Sequence, residues 1–124
     1  MHMLEMPWPP SANRYWRNVG PRVLISRAGR QYRKQITELA LVCRWPRLGD
    51  QRLKVKIVAL PPDRRKRDLD NLLKATFDAL EAAGIFDNDE QVDDFRVIRG
   101  PRVRGGSLQV SICATGEARD GSRH

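Results

Sequence analysis

The sequence predicts a single α+β domain in which one mixed β-sheet is covered by two helices. Three observations carry that prediction. Two stretches place apolar residues at helical spacing, Tyr32, Ile36, Leu39 and Cys43 in the first and Leu69, Leu72, Leu73, Phe77 and Leu80 in the second. Other stretches alternate apolar and polar residues with a period of two, as strands with one buried face do. The two kinds of stretch succeed one another along 124 residues, a length that suits one domain and buries enough surface for it to fold unaided.

Taken in order, Met3 to Trp8 reads as a short strand ended by Pro9-Pro10, and Ser11 to Gly20 as a loop in which Arg14, Tyr15, Trp16 and Arg17 mix cations with aromatics. In that loop, core or loop packing of the aromatic pair is favoured over base stacking. Arg22 to Ser26 is a second short strand, and residues 28 to 44 form an amphipathic helix stopped by Pro46 and Gly49. Leu53, Val55, Ile57 and Ala59 alternate with Arg52, Lys54 and Lys56 in a strand that Pro61-Pro62 breaks. After the charged loop Asp63 to Arg67, residues 69 to 83 are a helix, with Asp68 at the N-cap and Gly84 as the C-terminal stop. An acidic turn from Asp87 to Glu90 leads to a strand over residues 91 to 99. Pro101 and Gly105-Gly106 turn the chain into a last strand bearing Leu108, Val110 and Ile112. These two strands are expected to form a hairpin. Residues 1–114 are expected to be the folded domain and 115–124 a polar, flexible tail.

Composition narrows the function. Lys and Arg number 23 against 15 Asp and Glu, a net charge of +8, and 18 of the cations are arginines. Arginine forks match phosphate geometry, so a polyanionic partner is the first expectation. The longest apolar run, Leu39 to Cys43, is far too short to span a bilayer, and the opening residues hold no hydrophobic signal core. Cys43 and Cys113 lack zinc-ribbon spacing and do not make a disulfide scaffold, which suits a reducing cytoplasm. The two histidines, His2 and His124, sit at the extremes of the sequence, so any chemistry falls to carboxylates, lysine, arginine or a metal they hold.

The acids in this basic chain are placed unusually. Asp68 and Asp70 follow four consecutive cations, Arg64 to Arg67, and Asp87, Asp89, Glu90, Asp93 and Asp94 cluster about one helix later. A simple phosphate binder would keep carboxylates away from its cationic loop. A metal-dependent nuclease needs both, cations for the phosphates and hard oxygens for Mg²⁺. Lys74 lies four residues after Asp70, on the same helix face. Each feature also has a structural reading. Asp at an N-cap or in a first turn is favoured by capping and the helix dipole. Lys74 could simply pair with Asp70 or Asp78 across one turn, and Asp87 to Glu90 could be a polar turn. A calcium loop starting at Asp87 fails, because Val92 and Ile98 stand where Gly and Glu are required. A glycine-rich phosphate loop is absent, since Gly105-Gly106 precedes a strand. The acidic turn can approach Asp68 only if the following strand runs back alongside the helix start.

The string Arg67-Asp68-Leu69-Asp70-Asn71-Leu72-Leu73-Lys74-Ala75, then Phe77-Asp78-Ala79-Leu80, then Asp89-Glu90-Gln91-Val92, resembles the RusA family of Holliday-junction resolvases. The opening Pro7-Trp8-Pro9-Pro10-Ser11-Ala12-Asn13-Arg14-Tyr15 and the Arg104-Gly105-Gly106-Ser107-Leu108 segment are similar to that family as well. The resemblance spans Met6 to Ile112. It implies a Mg²⁺-dependent endonuclease, with Mn²⁺ as a substitute, that cuts four-way DNA junctions symmetrically as a homodimer in the cytoplasm of a bacterial or phage-infected cell. It implies Asp68, Asp70 and Asp89 as metal ligands, Lys74 as the essential lysine, and Arg64, Arg65, Lys66, Arg67 and Arg14 as the DNA-facing cations. Where the family carries Asp-Asp before x-Gln-Val, this sequence has Asn88-Asp89, which leaves Asp87 and Asn88 as further candidates beside Asp89. Two symmetric cuts on a two-fold junction need two chains. The readings set against this one are a non-catalytic basic nucleic-acid-binding module, and a metal nuclease for flaps or single strands.

Overall fold

The computed structural model describes residues 1–115. All but the first residue of the expected 115–124 tail therefore lie outside the described residues. The elements run β1 (His2–Pro7), α1 (Ala12–Tyr15), β2 (Trp16–Val19), β3 (Arg22–Ile25), α2 (Arg27–Val42), β4 (Leu53–Leu60), α3 (Asp70–Ala82), a 3₁₀ turn (Asp89–Gln91), β5 (Val92–Arg99) and β6 (Ser107–Ala114). A mixed four-stranded sheet in the order β1-β6-β4-β5 forms the base of an α+β domain. Alternation along β4 buries Leu53, Val55, Ile57 and Ala59, while Lys54 and Lys56 face water. The buried side chains meet Leu108, Val110 and Ile112 of β6, Leu4 and Met6 of β1, and the inner faces of α2 and α3 in one core. Among the described residues no helix is long and apolar enough to cross a membrane.

Three local expectations are corrected. The segment 11–20 is not a loop. It holds the short helix α1 and the strand β2, which pairs with β3 as a separate two-stranded ribbon. Two residues, Gly20 and Pro21, connect these strands, and the positive φ of 61° at Gly20 lets so short a turn close. Second, Asp68 does not cap α3. The N-cap is Leu69, with no side-chain cap bond, and Asp68 contributes only its carbonyl, to the Asn71 N–H at 3.2 Å. At the other end Gly84 stops the helix as expected. It takes φ 82° while the Ile85 N–H reaches back to the Leu80 carbonyl and the Gly84 N–H to Glu81.

Third, β5 and β6 are not a hairpin. β5 lies parallel to β4 at the sheet edge, and β6 inserts antiparallel between β4 and β1. Charge decides this arrangement. Asp93, Asp94, Arg96 and Arg99 leave β5 too polar for anything but an edge, whereas the inward positions of β6 are buried. The 100–106 connection crosses the end of β4, with N–H groups of Gly100 and Val103 bonded to the Ala59 and Pro61 carbonyls at 2.8 and 3.0 Å.

Candidate active site

The β4–α3–β5 crossover fixes where every candidate acid lies. The chain leaves β4 through Pro61-Pro62, passes the cationic loop, and enters α3 at the C-terminal end of the sheet strands. Within the loop Asp63 acts as the organiser. It accepts from the Arg65 N–H at 3.0 Å and, through both oxygens, from Nη2 of Arg67 at 2.8 Å. Those hydrogen bonds and the cations that make them hold its carboxyl below the usual range. Arg67 is consequently half-buried, its guanidinium over the Trp8 ring at 5.7 Å and its carbonyl accepting from Arg99 at 2.7 Å. Arg64, Arg65 and Lys66 remain exposed. Gly106 supports this wall from below. A Cβ there would fall 2.9 Å from Trp8 Cβ and 3.0 Å from Pro62 Cδ, so only glycine lets the 100–106 connection seat against both residues.

Trp8, Pro9, Pro10, Ser11 and Arg14 face the 63–72 segment across a groove of about 630 Å³. Asp68 lies in the groove wall beside Arg65, Lys66 and Arg67. Asp68 and Asp70 are both exposed, and neither carboxylate has an ion-pair or hydrogen-bond partner among the described residues. Asp63, Asp78, Glu90, Asp93 and Asp94 are engaged by arginine or lysine. Asp68 and Asp70 share their lack of an ion pair with Glu5, Glu38, Asp50, Glu81, Asp87 and Asp89 among the described residues, and what sets them apart is their place next to the cationic loop, where they are an unneutralised oxygen donor set.

Lys74, one turn along α3, pairs with neither Asp70 nor Asp78. Its ammonium instead lies over the Trp16 ring, 5.1 Å from the centroid. Asp78, one turn further, is bound bidentately by Arg33 of α2 at 2.7 Å and by the Tyr15 hydroxyl of α1. This one carboxylate thereby ties three helices together and sets Trp16 beside Lys74. Burial, reinforced by Asp78, pushes the Tyr15 phenol well above its ordinary value, so it stays a donor. The aromatic pair of the 14–17 segment thus belongs to the packing, as the sequence favoured. Among the described residues the buried donors that lack a partner include Nε1 of Trp16, beside Lys74, and Nε of Arg67, the residue before Asp68.

Asp89 is not brought to Asp68 and Asp70. Its N–H bonds Oε1 of Glu81 at 3.2 Å, which places it at the C-terminal end of α3. Asp70 begins that helix, so the two acids are roughly 16 Å apart along its axis. The expected return of the strand toward the helix start does not occur, because β5 is parallel to β4 and starts opposite Leu53. Among the described residues no three His, Cys, Asp or Glu side chains of one chain converge on a metal position. The turn bearing Asp89 is nevertheless rigidly specified. Gln91, buried, accepts from the Asp87 and Asn88 N–H groups and donates to the Gly49 and Gln51 carbonyls. Arg52 braces the same turn through Glu90 and Asp93. Sequence reasoning missed Gln91, Asp63, Trp16 and the Tyr15–Arg33–Asp78 cluster. Gln91 and Asp78 stood inside the quoted motifs, and that was the signal available.

A basic α+β domain with free carboxylates beside a cationic groove has the parts that metal-assisted phosphodiester cleavage uses. The chain belongs to the endodeoxyribonuclease RusA family, whose model matches residues 7–112, and it is an endonuclease. It is 45% identical over 111 residues to the crossover junction endodeoxyribonuclease of Enterobacteria phage HK97, covering 90% of this chain and 92% of that protein. It is 42% identical over 115 residues to the Shigella sonnei (strain Ss046) protein of the same name, covering 93% and 96%. It is 42% identical over 113 residues to that of Enterobacteria phage 82, covering 91% and 94%.

Proposed function

We propose that the chain resolves four-way DNA junctions as a homodimer, with Mg²⁺ (or Mn²⁺) held by Asp68 and Asp70 of one chain and completed by Asp89 of the other. The observation that carries this reading is the pair of unneutralised carboxylates at the start of α3, beside a groove walled by arginines. Hard carboxylate oxygens suit Mg²⁺. One chain supplies Asp68 in the groove wall and Asp70 two residues on, at the start of α3, and keeps the third candidate at the opposite end of that helix; a two-fold axis is the simplest way to bring that end to the groove of a second chain. Bound there, the metal would polarise the scissile phosphate and acidify an attacking water. Arg64, Arg65, Lys66 and Arg14 would hold the DNA backbone across the groove. Arg67 would reach it only from its place between Asp63 and Trp8. Lys74, kept apart from the acids by Trp16, is free to neutralise charge at the phosphate or orient the water.

Two experiments test this. A synthetic four-way junction and a linear duplex of the same sequence are incubated with Mg²⁺ or EDTA. Paired symmetric nicks on the junction alone, and only with Mg²⁺, are expected. Junction binding without cuts in either buffer would leave a structure-selective binding protein, and cuts confined to flaps or single strands would leave a nuclease of different target. In the second, Asp70→Asn and Asp89→Asn proteins are each expected to bind junctions without cutting. Mixed, they regain single nicks, since one site of each heterodimer keeps both native acids. No recovery on mixing exchanged subunits would refute the shared site.

A further inference from the structure

One basic stretch has, apart from Arg14, no part in the chemistry above. Between Glu5 and Glu38 the sequence contains no Asp or Glu but seven cations. Among the described residues only Arg33 of these forms an ion pair. Arg14, Arg17, Arg22, Arg27 and Arg30 are all exposed. Arg17 and Arg22 sit on the β2–β3 ribbon, which hydrogen-bonds to neither edge of the main sheet. Every residue from Arg17 to Val23 is exposed, the apolar Val19 and Val23 at 44% and 59%.

The base of the ribbon is, by contrast, fixed. The Ser26 N–H bonds the Tyr15 carbonyl at 2.9 Å, and Gly29 approaches so closely that a Cβ there would stand 2.5 Å from that same oxygen. Tyr15 is in turn held to α3 through Asp78. Trp16, opposite Ile25 at the root of the ribbon, covers Lys74. The ribbon therefore starts beside the lysine of the site and projects from it. Its four-residue strands reach roughly 13 Å. A two-stranded ribbon exposed on both faces gains little from its own packing. It has, however, the width that a DNA groove admits. Opposite pairs in the register share a face, so Arg17 (with Leu24) and Arg22 (with Val19) point to the same side as diagonal neighbours.

We propose that the β2–β3 ribbon is a DNA-engaging arm: Arg17 and Arg22 grip the backbone of a duplex arm adjoining the one being cut. The inference rests on the reading of the chain as a junction nuclease, and it assigns to the ribbon the preference for branched over linear DNA. A linear duplex laid on the groove offers no second arm at the ribbon. A junction does.

The test measures binding of a four-way junction and of a linear duplex in EDTA across a salt series, by fluorescence anisotropy. For Arg17→Ala/Arg22→Ala the slope of log K against log salt for the junction falls by about two, one per lost phosphate contact. The duplex slope stays within error of wild type, so the junction-to-duplex preference shrinks. Arg17→Lys/Arg22→Lys, which keeps the charges, retains the wild-type slope, and Arg44→Ala/Arg47→Ala, remote from the ribbon, does too. An alanine variant with unchanged junction slope overturns the arm while leaving the nuclease reading intact. So does a lysine variant as weak as the alanine one, because a shape effect would then account for the loss. Wild-type protein that shows no preference for the junction at all overturns both readings.

Discussion

Replacing Asp78 by alanine removes one carboxylate and strands two partners. Arg33 loses both of its 2.7 Å bonds, and the Tyr15 hydroxyl loses its acceptor. Breaking a fully buried ion pair from one side costs about 3–5 kcal/mol. Here the Arg33 and Asp78 side chains are 35% and 19% exposed, so water screens the remaining guanidinium and the loss is reduced to about 2 kcal/mol. Tyr15 is wholly buried, and an unsatisfied hydroxyl adds about 1 kcal/mol. The sum, about 3 kcal/mol, corresponds to a fall in Tm of about 10–15 °C for a domain of this size. Urea titration followed by circular dichroism measures it, the midpoint shifting at constant slope. The triple variant Tyr15→Phe/Arg33→Met/Asp78→Leu regains most of the loss, because a matched apolar contact leaves no stranded charge. The reasoning is refuted if Asp78→Ala stays within about 0.5 kcal/mol of wild type, or if the triple variant is no more stable than the single one.

Three further outcomes follow from the same geometry. Both tyrosines of the chain have phenol pKa values raised above the ordinary 10.0, chiefly by burial. A raised folded-state value leaves stability intact below the unfolded pKa and erodes it above, so stability falls from about pH 10 upward, and phenolate absorbance rises together with loss of ellipticity rather than before it. Gly106→Ala costs about 2–4 kcal/mol, from a positive φ and the contact with Trp8 and Pro62, whereas Gly105→Ala, with open space around it, costs about 1–2 kcal/mol; a denaturant comparison giving equal losses would remove the packing argument. Gln91→Ala strands two N–H groups and two carbonyls, and is expected to lower junction cleavage at least tenfold while leaving junction binding within about twofold, as measured by single-turnover cleavage beside anisotropy.

The α+β class, both long helices and most strands were legible because they obey local periodicities, and Gly84 was legible because a left-handed helix stop is a one-residue requirement. The expected hairpin failed for a non-local reason. Strand partners depend on which strand can be buried on both sides, and the charges at 93, 94 and 96 already marked β5 as an edge. Of the ribbon at 16–25, the strand β3 was read as Arg22 to Ser26, but β2 and the pairing of the two were missed, because the strands are short and lack an alternating buried face. Its one signal was Gly20-Pro21. At the site, Asp68, Asp70 and the cationic loop were legible as neighbours in sequence. The distance to Asp89 was not, since it follows from the parallel crossover, which sends β5 back to the far end of α3.

The position of β6 has a consequence for synthesis. It is the sixth strand to be made and one of the two inner strands of the sheet, bonded to β1 on one side and β4 on the other. The turn that leads into it also carries Gly106, the seat of Trp8 and Pro62. A nascent chain that has emerged only as far as residue 106 therefore holds its acids and arginines on a sheet that lacks an inner strand. The groove cannot take shape until β6 threads between strands made long before it, a non-local step that comes late in folding. The groove of this nuclease is therefore the last part of the chain to be completed, and a copy ended before residue 107 lacks the strand that joins β1 to β4.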